Sequence, residues 1–168
     1  MYISVVSDFT SLLCWVSKKK LEKAVRDLSR EGYEIHVRFE PLVLWEVNRW
    51  YKENIHLSLD AINADPTGQR IVAECRKENI DLGGTIYCCD TTKAQGLLLY
   101  TYETLDEDKG NAMAEKLFNR VLSQSTDLKE DPLLYNKLAD EAFGEGYKHE
   151  GELALAVSGT PKAILGTP

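Results

Sequence analysis

The chain is 168 residues long, 43% apolar and 28% charged, with 27 Asp and Glu set against 20 Lys and Arg, for a formal net charge of −7. That length fills one core and falls short of two typical domains. The acidic balance, with a pI near 5.0, argues against nucleic acid as a partner, because a phosphate-binding surface needs clustered Lys and Arg.

The first element is a short β-branched run, Tyr2 to Val6, ended by polar Ser7 and Asp8, which fits a buried parallel strand. Asp8-Phe9-Thr10-Ser11-Leu12-Leu13-Cys14-Trp15 then joins that strand to a long amphipathic helix and sets a hydroxyl and a thiol at the helix start. First-turn amides have no intrahelical acceptor and the macrodipole favours negative charge there, so a thiolate at this point is stabilised. Ser11 and Cys14 have Cys-x-x-Cys spacing, but with serine in the first place a two-thiol redox cycle on this pair is excluded. Leu21, Ala24, Val25 and Leu28 continue the helix at helical spacing and Gly32 caps it. Lys18-Lys19-Lys20 reads as a solvated face of this helix. Tyr33, Ile35, Val37 and Phe39 then alternate with polar residues until Pro41, a second strand, and strand-helix-strand predicts a right-handed parallel crossover.

From Leu42 to Val157 the pattern is helical throughout, apart from a doubtful strand at Gly84 to Cys88. Asp65-Pro66 is a cap followed by a first-turn proline, ahead of Ile71, Val72 and Cys75 on one face. Asp90 is placed to cap a helix bearing Ala94, Leu97, Leu98 and Tyr102. Ala114, Leu117, Val121 and Leu122 form the next stripe, and Asp131-Pro132 repeats the cap before Leu134, Leu138 and Ala142, with Gly144 ending the run. A last short helix is expected over 150–157.

Four cysteines, at 14, 75, 88 and 89, are too few and too unevenly spaced for a disulfide framework. Adjacent Cys88 and Cys89 lack a second ligand pair, so they read as small buried hydrophobes and no metal site is expected. His36, His56 and His149 have no partner at a useful spacing and read as surface or structural residues. Trp45 and Trp50, with Leu42, Leu44, Val47 and Tyr51, read as core packing or an oligomer contact, and Glu103 to Asp108 as a solvated helix end. No apolar run approaches the roughly 18 to 20 residues that span a bilayer, and no leader pattern opens the chain, so no membrane association and a cytoplasmic location are expected. The closing stretch, Ser158-Gly159-Thr160-Pro161-Lys162-Ala163-Ile164-Leu165, places a Thr-Pro bond at the head of an apolar strand. This bond is a candidate cis peptide, although only about 5 to 6% of X-Pro bonds in folded proteins are cis.

Together, the strand leading into Asp-Phe-Thr-Ser-Leu-Leu-Cys-Trp, the downstream Lys-Lys-Lys-Leu-Glu-Lys-Ala-Val, the second strand ending Arg-Phe-Glu-Pro, and Gly159-Thr160-Pro161 resemble the DsbA-like thioredoxin-fold family, in particular its FrnE-type branch. Cys89-Asp90-Thr91-Thr92-Lys93-Ala94 is similar to a helix-opening turn in that family's insert. The resemblance implies an α/β thioredoxin-like fold with an inserted all-helical domain. Residues 1–44 form its first half, 45–157 the insertion, and 158–168 the cis-proline turn and a completing strand. It also implies two departures. Ser11 and Leu12 replace the cysteine and proline of the redox motif. Only seven residues follow Pro161, so the family's last strand and helix are expected to be missing, which leaves a strand edge that favours a homodimer.

Kappa-class glutathione transferases and 2-hydroxychromene-2-carboxylate isomerases resemble the same family and carry serine at the first motif position, where its hydroxyl bonds the glutathione thiolate. Three readings follow. In the first, Cys14 acts alone in monothiol or glutathione-linked exchange with a small thiol or a thiol-containing protein. In the second, Ser11 orients glutathione as cosubstrate for transfer or isomerisation. In the third, the fold survives as a non-catalytic binding module. The resemblance places Ser11 and Cys14 at the catalytic position, and Trp15, Thr160 and Pro161 against the substrate or glutathione, with no cofactor tightly bound.

Overall fold

β1 (Tyr2–Ser7), α1 (Leu12–Arg30) and β2 (His36–Pro41) form a parallel β-α-β unit in the computed structural model, which describes residues 1–44, 48, 56–128 and 134–143. The register runs from Tyr2 opposite His36 to Ser7 opposite Pro41. α1 opens on Ser11, whose Oγ accepts the Cys14 N–H at 3.3 Å. It closes where Gly32 adopts φ +93°, which lets the Gly32 N–H donate to Ser29 O and the Tyr33 N–H to Leu28 O. That closing turn draws Tyr33 away from the sheet, so the second strand starts at His36, later than its alternation predicts.

The outer edge of β2 is closed by side chains instead of by another described strand. The Val37 N–H donates to Glu107 Oε1 at 2.8 Å, Val37 O accepts from Asn111 Nδ2 at 3.0 Å, and the Phe39 N–H donates to the Tyr102 hydroxyl at 3.1 Å. Pro41 has no N–H to satisfy. Glu107 also meets His36 Nδ1 at 3.2 Å, and the His36 ring stacks on Tyr2, so His36 is structural. The acidic run is therefore more than a solvated helix end: Asp106 caps the helix that follows and Glu107 fastens it to β2.

The remaining described elements are β3 (His56–Ser58), α2 (Leu59–Ala64), α3 (Pro66–Lys77), β4 (Thr85–Tyr87), α4 (Thr92–Thr104), α5 (Glu107–Phe118), a π-helical turn (Asn119–Ser123) and α6 (Leu134–Phe143). β3 and β4 pair antiparallel, Leu57 opposite Ile86. The strand at Gly84 to Cys88 is thus present, and the expectation of an all-helical stretch is corrected at His56–Ser58, three residues too short to show an alternation. Asp65 caps α3 through Gly68 N at 2.8 Å with Pro66 in the first turn, as its sequence predicts. Asp90 accepts from Thr92 N at 2.9 Å, but Thr91 is the residue flanking α4, and its hydroxyl is turned elsewhere.

Ala114, Leu117, Val121 and Leu122 do form one fully buried stripe, with Phe118 among them, but the α-helix gives way to a π turn after Phe118. That turn grips the β3–β4 lobe: Leu122 O accepts from Gly83 N at 2.8 Å and Ser125 Oγ from Thr85 N at 3.1 Å. A Cβ on Gly83 would strike Ser125 Oγ and Ser123 O, so glycine is needed for this approach. α6 packs on α4 and α5 through Leu134 and Leu138.

The lysine run on α1 departs from its expected solvation. Lys18 is 0% exposed. Its Nζ bonds Glu22 and Glu115 Oε2, the latter at 2.9 Å, and lies 5.6 Å from the centre of the Phe39 ring. Lys19 reaches the other Glu115 oxygen at 2.5 Å, whereas Lys20 sits outside and pairs with Glu74. Burial raises the Glu115 pKa, and hydrogen bonds from Lys19 and Lys18 more than offset this, so it ends below the usual carboxylate value. Among the described residues no helix is long and apolar enough to cross a membrane, and no cluster of three or more His, Cys, Asp or Glu could hold a metal ion. Trp45, Val47, Trp50 and Tyr51, the Asp131-Pro132 cap, Gly144 and His149, the helix over 150–157 and the turn at 158–161 lie outside the described residues.

Candidate functional site

The β1–α1 junction is built around Asp8, which is 0% exposed. One carboxylate oxygen accepts from Thr10 N at 2.8 Å and Thr10 Oγ1 at 2.6 Å; the other accepts from Leu44 N at 2.8 Å and Thr91 Oγ1 at 2.9 Å. Burial raises the Asp8 pKa against the pull of these four donors. Gln95 Nε2 ties the same end of the sheet together, donating to Ser7 O at 3.0 Å and Leu42 O at 3.1 Å. The loop that carries Ser11 is thereby held from the second strand's exit and from the start of α4.

Ser11 lines a cavity of about 460 Å³, together with Thr10, Leu12 and Leu13 from the same helix start. The opposite wall is Leu57 on β3, with Ile86 and Cys88 on and just after β4. The α2–α3 corner supplies Ile62, Asp65 and Ile71. The volume falls within the range of small-molecule sites, and the lining has their usual character of apolar walls with few polar groups. Because Ser11 Oγ accepts the Cys14 amide, its own hydrogen is left to donate, and the N–H groups of Leu12 and Leu13 are first-turn amides without intrahelical acceptors.

The other expected site residues are placed differently. Cys14 is half-buried, lies one turn along the helix and does not line the cavity. Trp15, expected against the ligand, is 3% exposed: its ring stacks on Phe118 at 6.0 Å and its Nε1 donates to Glu115, which makes it a core residue of the α1–α5 contact. Thr160 and Pro161 lie outside the described residues. Cys88 lines the cavity, but burial, reinforced by the Asp8 charge, pushes its thiol up to about 11; burial does the same to Cys75.

Sequence reasoning passed over Asp8 as a site residue and the apolar wall of Leu57, Ile62 and Ile71. The signal for Asp8 was an acid wedged between an apolar strand and a helix cap, where two threonines follow at short and long range. Ile71 reads as part of an apolar helical face, but its meeting with Ile62 and Leu57 had no local signal, because it depends on the α2–α3 corner and on a β-pairing that the sequence does not announce.

No family model matches this sequence, and no curated protein matches it either. Among solved structures, the chain is similar to the selenomethionine form of a 2-hydroxychromene-2-carboxylate isomerase. The TM-score is 0.63, the likeness covers 94% of this chain and 71% of the other, and the sequences are 15% identical. The fold is thioredoxin-like with a helical insertion, as the sequence resemblance implies.

Proposed function

We propose that this chain is a glutathione-dependent transferase or isomerase, in which the reactive sulfur belongs to glutathione and Ser11 donates its hydroxyl hydrogen to the thiolate. The observation that carries this reading is that Ser11 lines the cavity at the α1 N-terminus while Cys14 does not. A charge-assisted bond from Ser11 and the amides of Leu12 and Leu13 would lower the bound thiol's pKa, as helix N-termini do for thiolates generally. The one thiol on the cavity, Cys88, is held protonated by its pKa of about 11 and is a poor nucleophile. The name of the structural neighbour, an isomerase, supports the same class.

In this reading the thiolate attacks an electrophilic carbon of a cosubstrate seated on the apolar wall, and a C–S bond forms. In transfer, the leaving group departs with its bonding pair. In isomerisation no group departs: the C–S bond forms as a conjugated C=C π bond breaks and its pair moves onto the conjugated acceptor, and after rotation that pair re-forms the double bond as the sulfur leaves with the C–S pair, so glutathione is returned unchanged. Thr160 and Pro161, which the sequence resemblance puts against the ligand, are assigned to the peptide portion of glutathione.

Calorimetric titration with reduced glutathione tests the proposal. The expected result is binding by the unaltered chain and by Cys14→Ser, with at least about tenfold weaker binding by Ser11→Ala, the loss of roughly one charge-assisted hydrogen bond. No binding overturns the proposal in favour of a binding module. Loss in Cys14→Ser with retention in Ser11→Ala overturns it in favour of monothiol exchange at Cys14.

A further inference from the structure

We propose that the groove between α1 and α5, floored by β2, is a binding site for a free apolar α-amino acid. It measures about 280 Å³, just under the roughly 300 Å³ at which sites for larger organic ligands begin, so its occupant is small. It shares no lining residue with the cavity at Ser11, and the inference does not rest on the glutathione reading.

The floor is apolar, with Leu21 and Val25 from α1 and Ile35, Val37 and Phe39 from β2 and its approach. Leu21, Val25 and Ile35 are only partly buried, so aliphatic surface stays wet unless a ligand covers it. Around this floor most of the polar groups are already engaged. Glu22 bonds Lys18; Glu107 takes the Val37 N–H on one oxygen and meets His36 with the other; Asn111 donates to Val37 O and accepts from the Tyr102 hydroxyl. Two groups are left. Neither Arg26 on α1 nor Asp108 in the first turn of α5 has an ion pair or hydrogen bond among the described residues. The groove therefore offers a ligand one cation, one anion and an apolar floor.

The placement of the two charges selects the ligand. In the parallel β-α-β unit α1 returns antiparallel to β2, with Lys18 beside Phe39, so Arg26, about two turns further on, stands at the Ile35 end. Glu107 grips the Val37 N–H, which brings the neighbouring Asp108 to the same end from the opposite rim. An α-amino acid carries its carboxylate and its ammonium on one carbon. It can meet Arg26 and Asp108 together while its side chain lies over Val37 toward Phe39. A simple acid or a simple amine would satisfy one rim charge and not the other.

Titration of the methyl-labelled chain with leucine, followed by NMR, tests the proposal. The expected result is saturable shifts of the Val25, Ile35 and Val37 methyls. Leucinamide and N-acetylleucine, each lacking one of the two charges, should bind roughly twofold to fivefold more weakly, the worth of a solvent-exposed ion pair. Arg26→Gln should remove the preference over leucinamide alone, and Asp108→Asn the preference over N-acetylleucine alone. Both positions are exposed, so neither substitution disturbs the core.

An absence of shifts at these methyls overturns the proposal, as do shifts confined to Leu57 and Ile86 in the other cavity. Preferences unmoved by both substitutions overturn it too. N-acetylleucinamide binding as tightly as leucine assigns the groove to a peptide segment instead, and shifts that follow protein concentration without ligand assign it to a second copy of the chain; either result overturns the amino acid as occupant.

Discussion

Ser11 is asked to do two jobs, and two substitutions separate them. As cap of α1 its Oγ accepts the Cys14 N–H at 3.3 Å, long for such a bond. Losing it in Ser11→Ala should therefore cost about 0.5 to 1 kcal/mol of stability, the lower half of the usual range. Ser11→Gly should cost only a few tenths of a kcal/mol, because glycine leaves the first-turn amides open to water. In the proposed role of donor to a thiolate, the hydroxyl would contribute about 1.5 to 3 kcal/mol, the worth of a hydrogen bond to a charged group. At about 1.36 kcal/mol per unit, both variants should raise the pKa of bound glutathione by roughly 1 to 2 units. Ultraviolet thiolate absorbance of the complex, followed against pH, reads the pKa, and urea unfolding reads the stability. The expected outcome is equal pKa shifts with unequal stability losses. A bound-thiol pKa unmoved in both variants, or one that moves in alanine and not in glycine, refutes the donor role, the second case because it ties the effect to the helix cap.

Other residues give independent checks. Glu115→Gln leaves buried Lys18 with Glu22 as its remaining carboxylate partner in the cluster. It should destabilise by about 2 to 3 kcal/mol, less than the 3 to 5 for a fully buried broken pair because the Glu115 side chain is 32% exposed. Since the native Glu115 pKa lies below 4.5, its contribution is present above that pH and fades as pH falls below it. The gap between the two proteins in chemical denaturation should accordingly close in acid, and a gap constant with pH would contradict the ion-cluster account. Gly110→Ala drives a Cβ into the Tyr102 ring, whose hydroxyl donates to Asn111 and accepts from Phe39 N. It should cost about 1 to 3 kcal/mol and speed amide exchange at Phe39, and normal exchange there would refute the closed-edge description of β2. With Cys75 and Cys88 both near 11, alkylation of the native protein at mildly alkaline pH should reach half-exposed Cys14 first, and mass spectrometry showing early Cys88 modification would contradict the protonated, inert thiol described for the cavity.

The parts of the fold legible in the sequence were those whose signals are local. The helix start at Ser11, the closing Gly32, Asp65-Pro66 and the stripe from Ala114 to Leu122 each announce themselves within a few residues, because caps and helical faces are fixed by near neighbours. What escaped depends on distant partners. Lys18 reads as solvated in any helix wheel that keeps lysine outside, and the arrival of Glu115, 97 positions away, beside the local Glu22 makes its burial tolerable. The three residues of β3 carry no periodicity, and their pairing with β4 is set by tertiary packing against the π turn. Trp15 sits next to the motif in sequence, but its place is set by distant partners: it ends under Phe118 and against Glu115, 100 positions away, while Ser11 lines the cavity.

The cavity has walls from two separated stretches of chain, so something must hold them in register, and the buried carboxylate of Asp8 is placed to do it. Its two donors from Thr10 fix the loop that delivers Ser11, and its donors from Leu44 and Thr91 fix the exit of β2 and the segment just after Cys88. All four partners are hydrogen-bond donors, which an ionised carboxylate can satisfy with acceptor oxygens alone, whereas an amide at this position would turn an NH₂ group toward two of them. Burying that charge is unfavourable, as the raised pKa of Asp8 records. The fold accepts the cost at the one point where β1, the start of α1 and the approach to α4 meet. The distance between the Ser11 hydroxyl and the apolar wall opposite thus depends on a polar node behind both, which no ligand has to touch.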